Sequence, residues 1–86
     1  MKATYIEKVG PPEGIRSGDL PVPALGNGDV LVKVSAVCVN PVDTYIRSGQ
    51  FPMDLPFPFV VGRDVAGVVE AVGAAVTRFQ AGDLVW

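Results

Sequence analysis

Apolar and polar positions alternate over much of this chain, and the alternation predicts strands more often than helices. Ala3-Thr4-Tyr5-Ile6-Glu7-Lys8 alternates and forms a first expected strand. Gly10-Pro11-Pro12-Glu13-Gly14 is a turn with proline-fixed backbone. Ile15 to Leu20 is a short second strand, with Ser17-Gly18 as a candidate bulge. Pro21-Val22-Pro23 is extended but cannot lie inside a sheet, because proline gives the ladder no donor. Gly26-Asn27-Gly28-Asp29 is a clear turn. After it comes the longest apolar run, Val30 to Val39. There Val30, Val32, Val34, Ala36 and Cys38 fall on one face at period two, with Lys33 and Ser35 on the other. One fully buried face and one partly wet face are expected, with Cys38 a small apolar core residue.

Pro41 to Gly49 changes the pattern. Pro41 suits a first helical turn and Gly49 a helix stop, so about two turns of helix are expected. Gln50 to Pro58 holds three prolines among aromatics and is expected to be an ordered loop. Phe59-Val60-Val61 leads into a turn at Gly62, and Val65 to Val72 is another strand with Val65, Gly67, Val69 and Ala71 on one face. Ala81-Gly82-Asp83 turns the chain into Leu84-Val85-Trp86, which begins a strand. An apolar sheet edge is usually blunted in natural proteins. The expectation is therefore an N-terminal piece of a longer polypeptide.

Composition narrows the function classes. At 86 residues the chain is at most one small domain, of a size that buries roughly 60% of its unfolded surface. With 49% apolar and 19% charged residues it has material for a core and too little charge for disorder. The net charge is −2 and no Lys or Arg run occurs, so neither nucleic acid nor an anionic membrane is an expected partner. One cysteine cannot make an internal disulfide, and with no histidine a zinc site within the chain is chemically disfavoured. The N-terminus lacks the apolar core of a signal peptide, and no stretch approaches the roughly 18–20 apolar residues of a membrane span. A cytoplasmic location is the default expectation.

Candidate chemistry concentrates in two places. Asn, Asp, Thr, Tyr and Arg crowd into eight positions, 40–47, directly after the long strand, and Arg63-Asp64 sits between Gly62 and Gly67 before another. Polar groups clustered where strands end can converge on one spot. No G-x-G-x-x-G and no Walker sequence is present, so no phosphate loop is expected in these residues.

In order, these features are the strand, the Gly-Asn-Gly-Asp turn, the Val-rich strand, Asn-Pro-x-Asp-x-Tyr-x-Arg-Ser-Gly, the Pro-rich loop, Gly-x-Asp-x-Ala-Gly-x-Val-x-x-Val-Gly and Ala-Gly-Asp-x-Val. The series resembles the medium-chain dehydrogenase/reductase superfamily, and within it the zinc-independent quinone oxidoreductase branch, the zeta-crystallin-like enzymes. The resemblance implies a mainly β fold: an incomplete, partly open GroES-like β-barrel with one short helix. Residues 1–86 are then the N-terminal part of the catalytic domain, and the Rossmann cofactor domain lies outside this chain. It also implies NADPH as cofactor of the complete enzyme, no metal, a small-molecule quinone or enone substrate, and a homodimer. In the zinc alcohol dehydrogenases of the same superfamily, the positions matching Asn40 and Arg63 are metal-binding Cys and His. An amide and a guanidinium cannot replace them on zinc.

The resemblance implies that Asn40 and Tyr45 line the substrate or nicotinamide pocket, with Asp43, Arg47, Arg63 and Asp64 near it. Each has a plainer alternative. Asn40 can donate to a carbonyl that gains negative charge, or cap the helix. Tyr45 can donate or stack on a flat ring, or be a half-buried core aromatic. Asp43 orients neighbours or caps the helix. Arg47 can hold an anionic group of the cofactor, or pair with a carboxylate, Asp43 or Asp64, and fix a loop. Arg63-Asp64 can face the cleft or brace its turn as an ion pair. Two other functions stay open: a non-enzymatic barrel module or truncated paralogue, and a zinc-type alcohol dehydrogenase fragment, the latter disfavoured by the missing ligands.

Overall fold

In the computed structural model, which describes residues 1–86, strand β1 covers Lys2–Tyr5 and pairs antiparallel with β2, Arg16–Asp19. Between them a single 3₁₀ turn forms at Pro12–Gly14, where Pro12 opens the turn. The β1–β2 register runs without interruption from Lys2 opposite Asp19 to Tyr5 opposite Arg16. The bulge expected at Ser17-Gly18 does not form. Gly18 lies beside the Tyr5 ring, where a Cβ would be in ordinary van der Waals contact, 3.5 Å from the Tyr5 hydroxyl oxygen. β1 also ends earlier than the alternation suggests. Ile6 leaves the pair and bridges Phe59, through reciprocal main-chain hydrogen bonds of 2.9 Å.

The remaining strands are β3, Val30–Cys38, β4, Asp64–Val72, and β5, Leu84–Val85. They form a three-stranded antiparallel sheet in the order β3-β4-β5. The molecule is thus mainly strands with one short helix, arranged as two sheets rather than a closed barrel.

β3 departs from its expected faces. Its register with β4 shifts between Leu31 and Val32 and again between Val34 and Ala36. The first shift leaves an extra residue, Glu70, on β4, and the second leaves an extra residue, Ser35, on β3, which breaks the β3 alternation from there on. No face of β3 is fully buried: Val30, Leu31 and Val32 are half-buried, and the strand is exposed from Lys33 onward. Cys38 is exposed and is not a core residue. On β4 the expected face holds in its middle, where Gly67 and Val69 are buried. Gly67 is required there by close approach. A Cβ would run into the Lys33 carbonyl and lie 2.9 Å from Val32 Cγ1.

The chain divides into two compact units. The first joins Met1–Val22 to Val39–Arg63, and the second joins Pro23–Cys38 to Asp64–Trp86. In the first unit Ile6 and Ile46 are the buried apolar side chains, and in the second Val69 is. The second unit is tied at the Gly26–Asp29 turn. Asp29 Oδ2 accepts from the Gly26 N–H at 3.0 Å, and the Gly73 N–H donates to the Asp29 carbonyl at 2.8 Å.

Candidate functional site

Helix α1, Pro41–Ser48, belongs to the first unit and carries most of the candidate residues. Asn40 takes an extended backbone (φ −115°, ψ 158°) and is its N-cap. Pro41 follows, where a missing N–H costs nothing. Gly49 ends the helix in the left-handed region at φ 87°, and its N–H donates to the Ile46 carbonyl at 3.3 Å. Acid in the first turn (Asp43) and base in the last (Arg47) suit the helix dipole.

Asn40 and Asp43 form a capping box. The Asn40 main-chain N–H donates to Asp43 Oδ2 at 2.8 Å, while the Asn40 side chain faces the Asp43 N–H. That N–H also reaches the Asn40 carbonyl at 3.0 Å. Asp43 is buried, with 4% of its surface exposed, and its second oxygen, Oδ1, is buried without a hydrogen-bond partner. Asn40 is half-buried.

Helix geometry separates the candidates. At about 100° per residue, Asp43 and Arg47 lie about 40° apart around α1, whereas Tyr45 lies about 200° from Asp43. Burial agrees: Asp43 and Ile46 are buried, while Tyr45 is 49% exposed. Tyr45 therefore lies on the opposite side of α1 from Asp43, with about half of its surface covered. Its carbonyl accepts from the Phe51 N–H at 3.1 Å, which turns the chain back after the helix.

Arg47 has a different partner from the carboxylate expected. Its guanidinium Nη1 donates to the Gly10 carbonyl, and the Gly10 N–H donates to the Arg47 carbonyl at 2.9 Å. The loop-fixing role stands, with a main-chain acceptor 37 residues away in sequence. The Asp43 carboxylate is spent on the cap instead. Arg63 is exposed at the end of the first unit, and Asp64 is exposed at the start of β4 in the second.

One feature had no counterpart among the candidate residues. Val9, Gly49, Phe51, Pro52, Met53, Asp54 and Leu55 line an open concavity of about 430 Å³ beyond the C-terminus of α1. Its sequence signal is the apolar, proline-rich run after Gly49, which has too few hydrogen-bonding side chains to stand out as chemistry. No group of three or more His, Cys, Asp or Glu side chains is placed to hold a metal ion. No helix is long and apolar enough to cross a membrane.

Residues 26–86, more than half of the chain, match the alcohol dehydrogenase GroES-like domain. The chain belongs to that family. This GroES-like chain is 47% identical to quinone oxidoreductase of Sus scrofa over 87 aligned residues, covering 100% of this chain and 26% of that protein. Among solved structures it is similar to a quinone oxidoreductase of Pseudomonas syringae pv. tomato DC3000, with a TM-score of 0.90, 42% identity, and coverage of 96% of this chain and 25% of that one. It is also similar to a mycobacterial protein solved in complex with NADPH, with a TM-score of 0.86, 44% identity, and coverage of 98% and 25%. The GroES-like chain thus spans about a quarter of the length of the relatives it matches. These are the oxidoreductases of the branch that the motif order resembles.

Proposed function

We propose that this chain is the N-terminal part of the catalytic domain of an NADPH-dependent, zinc-independent reductase of quinones or enones, with the cofactor domain elsewhere in the same polypeptide. The observation that carries this reading is identity of 47% to a quinone oxidoreductase across the whole chain; the resemblance adds that Asn40 and Arg63 match positions that hold zinc ligands in the zinc enzymes of the superfamily. A cytoplasmic homodimer acting on a small molecule accompanies it.

The residues present do not fit the pyrophosphate half of a dinucleotide. The only α-helix begins with a proline, and its first turn is closed by the capping box rather than open to an anion. When bound, NADPH supplies the hydride. What this chain contributes is orientation and hydrogen bonding. A quinone or enone is already electrophilic, so the acceptor oxygen needs a donor rather than a metal as charge builds on it. The Asn40 amide N–H₂ is that donor, held in a half-buried position where such a bond is stronger than in water. Tyr45, half exposed, offers a flat surface and a second polar tip.

The test is NADPH oxidation by the intact protein with a benzoquinone or an enone as acceptor. Quinone-dependent oxidation is expected. Asn40→Ala should lower kcat by about 10²-fold, the usual scale for losing one such donor. Tyr45→Phe should raise KM and alter kcat less. An intact protein that oxidises no NADPH with either acceptor class, or an Asn40→Ala variant with unchanged kcat, would overturn the assignment.

A further inference from the structure

Asp43 is the residue in this chain whose burial its simplest role does not explain. In a capping box the N3 acid needs only one oxygen, on the N-cap N–H. Asp43 is 4% exposed, uses Oδ2 on the Asn40 main-chain N–H at 2.8 Å, and has no partner for Oδ1. Buried carboxylate oxygens are ordinarily satisfied, and one that is not calls for a reason beyond stability. Asp43 is also buried too deeply to meet a substrate itself. What it does meet is Asn40, at several points: the carboxylate takes the Asn40 N–H, and the Asp43 N–H faces both the carbonyl and the side chain of Asn40.

We infer that Asp43 is a positioning residue that fixes the backbone of Asn40, and with it the direction of the Asn40 amide, from inside the first unit. Its influence on the reaction runs through Asn40. The kinetic part of this inference rests on the role proposed above for Asn40, and the exchange measurement below does not.

Two substitutions separate positioning from plain structure. Asp43→Asn keeps the shape and one acceptor oxygen for the Asn40 N–H. Asp43→Leu keeps the approximate volume, suits a buried site and removes the acceptor. In the intact protein, hydrogen exchange at the Asn40 main-chain N–H is expected to speed up about tenfold or more in Asp43→Leu and to stay within about threefold of wild type in Asp43→Asn, as loss and retention of one ordered hydrogen bond require. In turnover, Asp43→Leu should lower kcat by about tenfold with KM within about twofold, and Asp43→Asn should restore most of the loss. In an Asn40→Ala background, Asp43→Leu should change kcat no further, because residues acting as a unit are non-additive. The inference is overturned if Asn40 exchange is the same in Asp43→Leu as in wild type, or if the Asp43→Leu and Asn40→Ala losses multiply. Wild-type kcat in Asn40→Ala alone would sink the proposed role of Asn40, and the exchange result would still decide whether Asp43 positions it.

Discussion

A single missing methyl group governs the middle of the larger sheet. Gly67 is buried opposite Val34 in the β3–β4 ladder, and any Cβ there meets the Lys33 main chain, which cannot swing aside as a side chain can. Gly67→Ala should therefore cost about 2–3 kcal/mol, the upper range for overpacking a close-packed site. Urea denaturation of the intact protein measures it, and a loss under about 0.5 kcal/mol would show that the ladder relaxes. Residue-level chemistry was partly visible in sequence. Asn40 before Pro41 with Asp43 three residues on is a capping pattern, and the structure shows the box. The burial of Asp43 and the exposure of Tyr45 were not visible, because both depend on which face of α1 the first unit covers. The covered face is the one that carries Asp43 and Ile46, both buried.

Elements were more legible than their faces. The alternation and turn residues placed all five strands and the helix, since short-range pattern decides whether a segment is strand or helix. For β3 the same pattern gave the wrong environment. An extra residue at Ser35 breaks its period, and the partner strand against which it bulges begins only at Asp64. The partner of Arg47 was equally hidden, because a main-chain carbonyl leaves no trace in the identity of Gly10. That contact ties the end of α1 to the segment after β1. Arg47→Ala should lower stability by about 1–2 kcal/mol, less than a fully buried charge-assisted bond because the side chain is half-exposed. Arg47→Lys should recover only part of it, since a lysine lacks the planar fork of donors. Equal stabilities for wild type and Arg47→Ala in a thermal melt would show the contact to be idle. The ion pair of Arg16 with Glu7, at 2.8 Å, is of a different kind: both side chains are more than half exposed, so it adds little.

The 86 residues together match about a quarter of the oxidoreductases they resemble and contain no strand–glycine-turn–helix for a pyrophosphate. Calorimetric titration of the 86-residue chain with NADPH should show no saturable binding in the micromolar range, and saturable micromolar binding would place cofactor recognition within this part of the protein. The two units are also woven along the chain. Each is built from one stretch before and one after a piece of the other, with crossings after Val22, Cys38 and Arg63. A polypeptide leaving the ribosome from its N-terminus can therefore finish neither unit early. β1 can pair with β2 early, but Ile6 must wait for Phe59 and β3 must wait for β4, so more than half of the chain emerges before either of these contacts can form. During that interval the apolar side chains of β3 lack their partner strand, and completion of both units awaits residues 59–72.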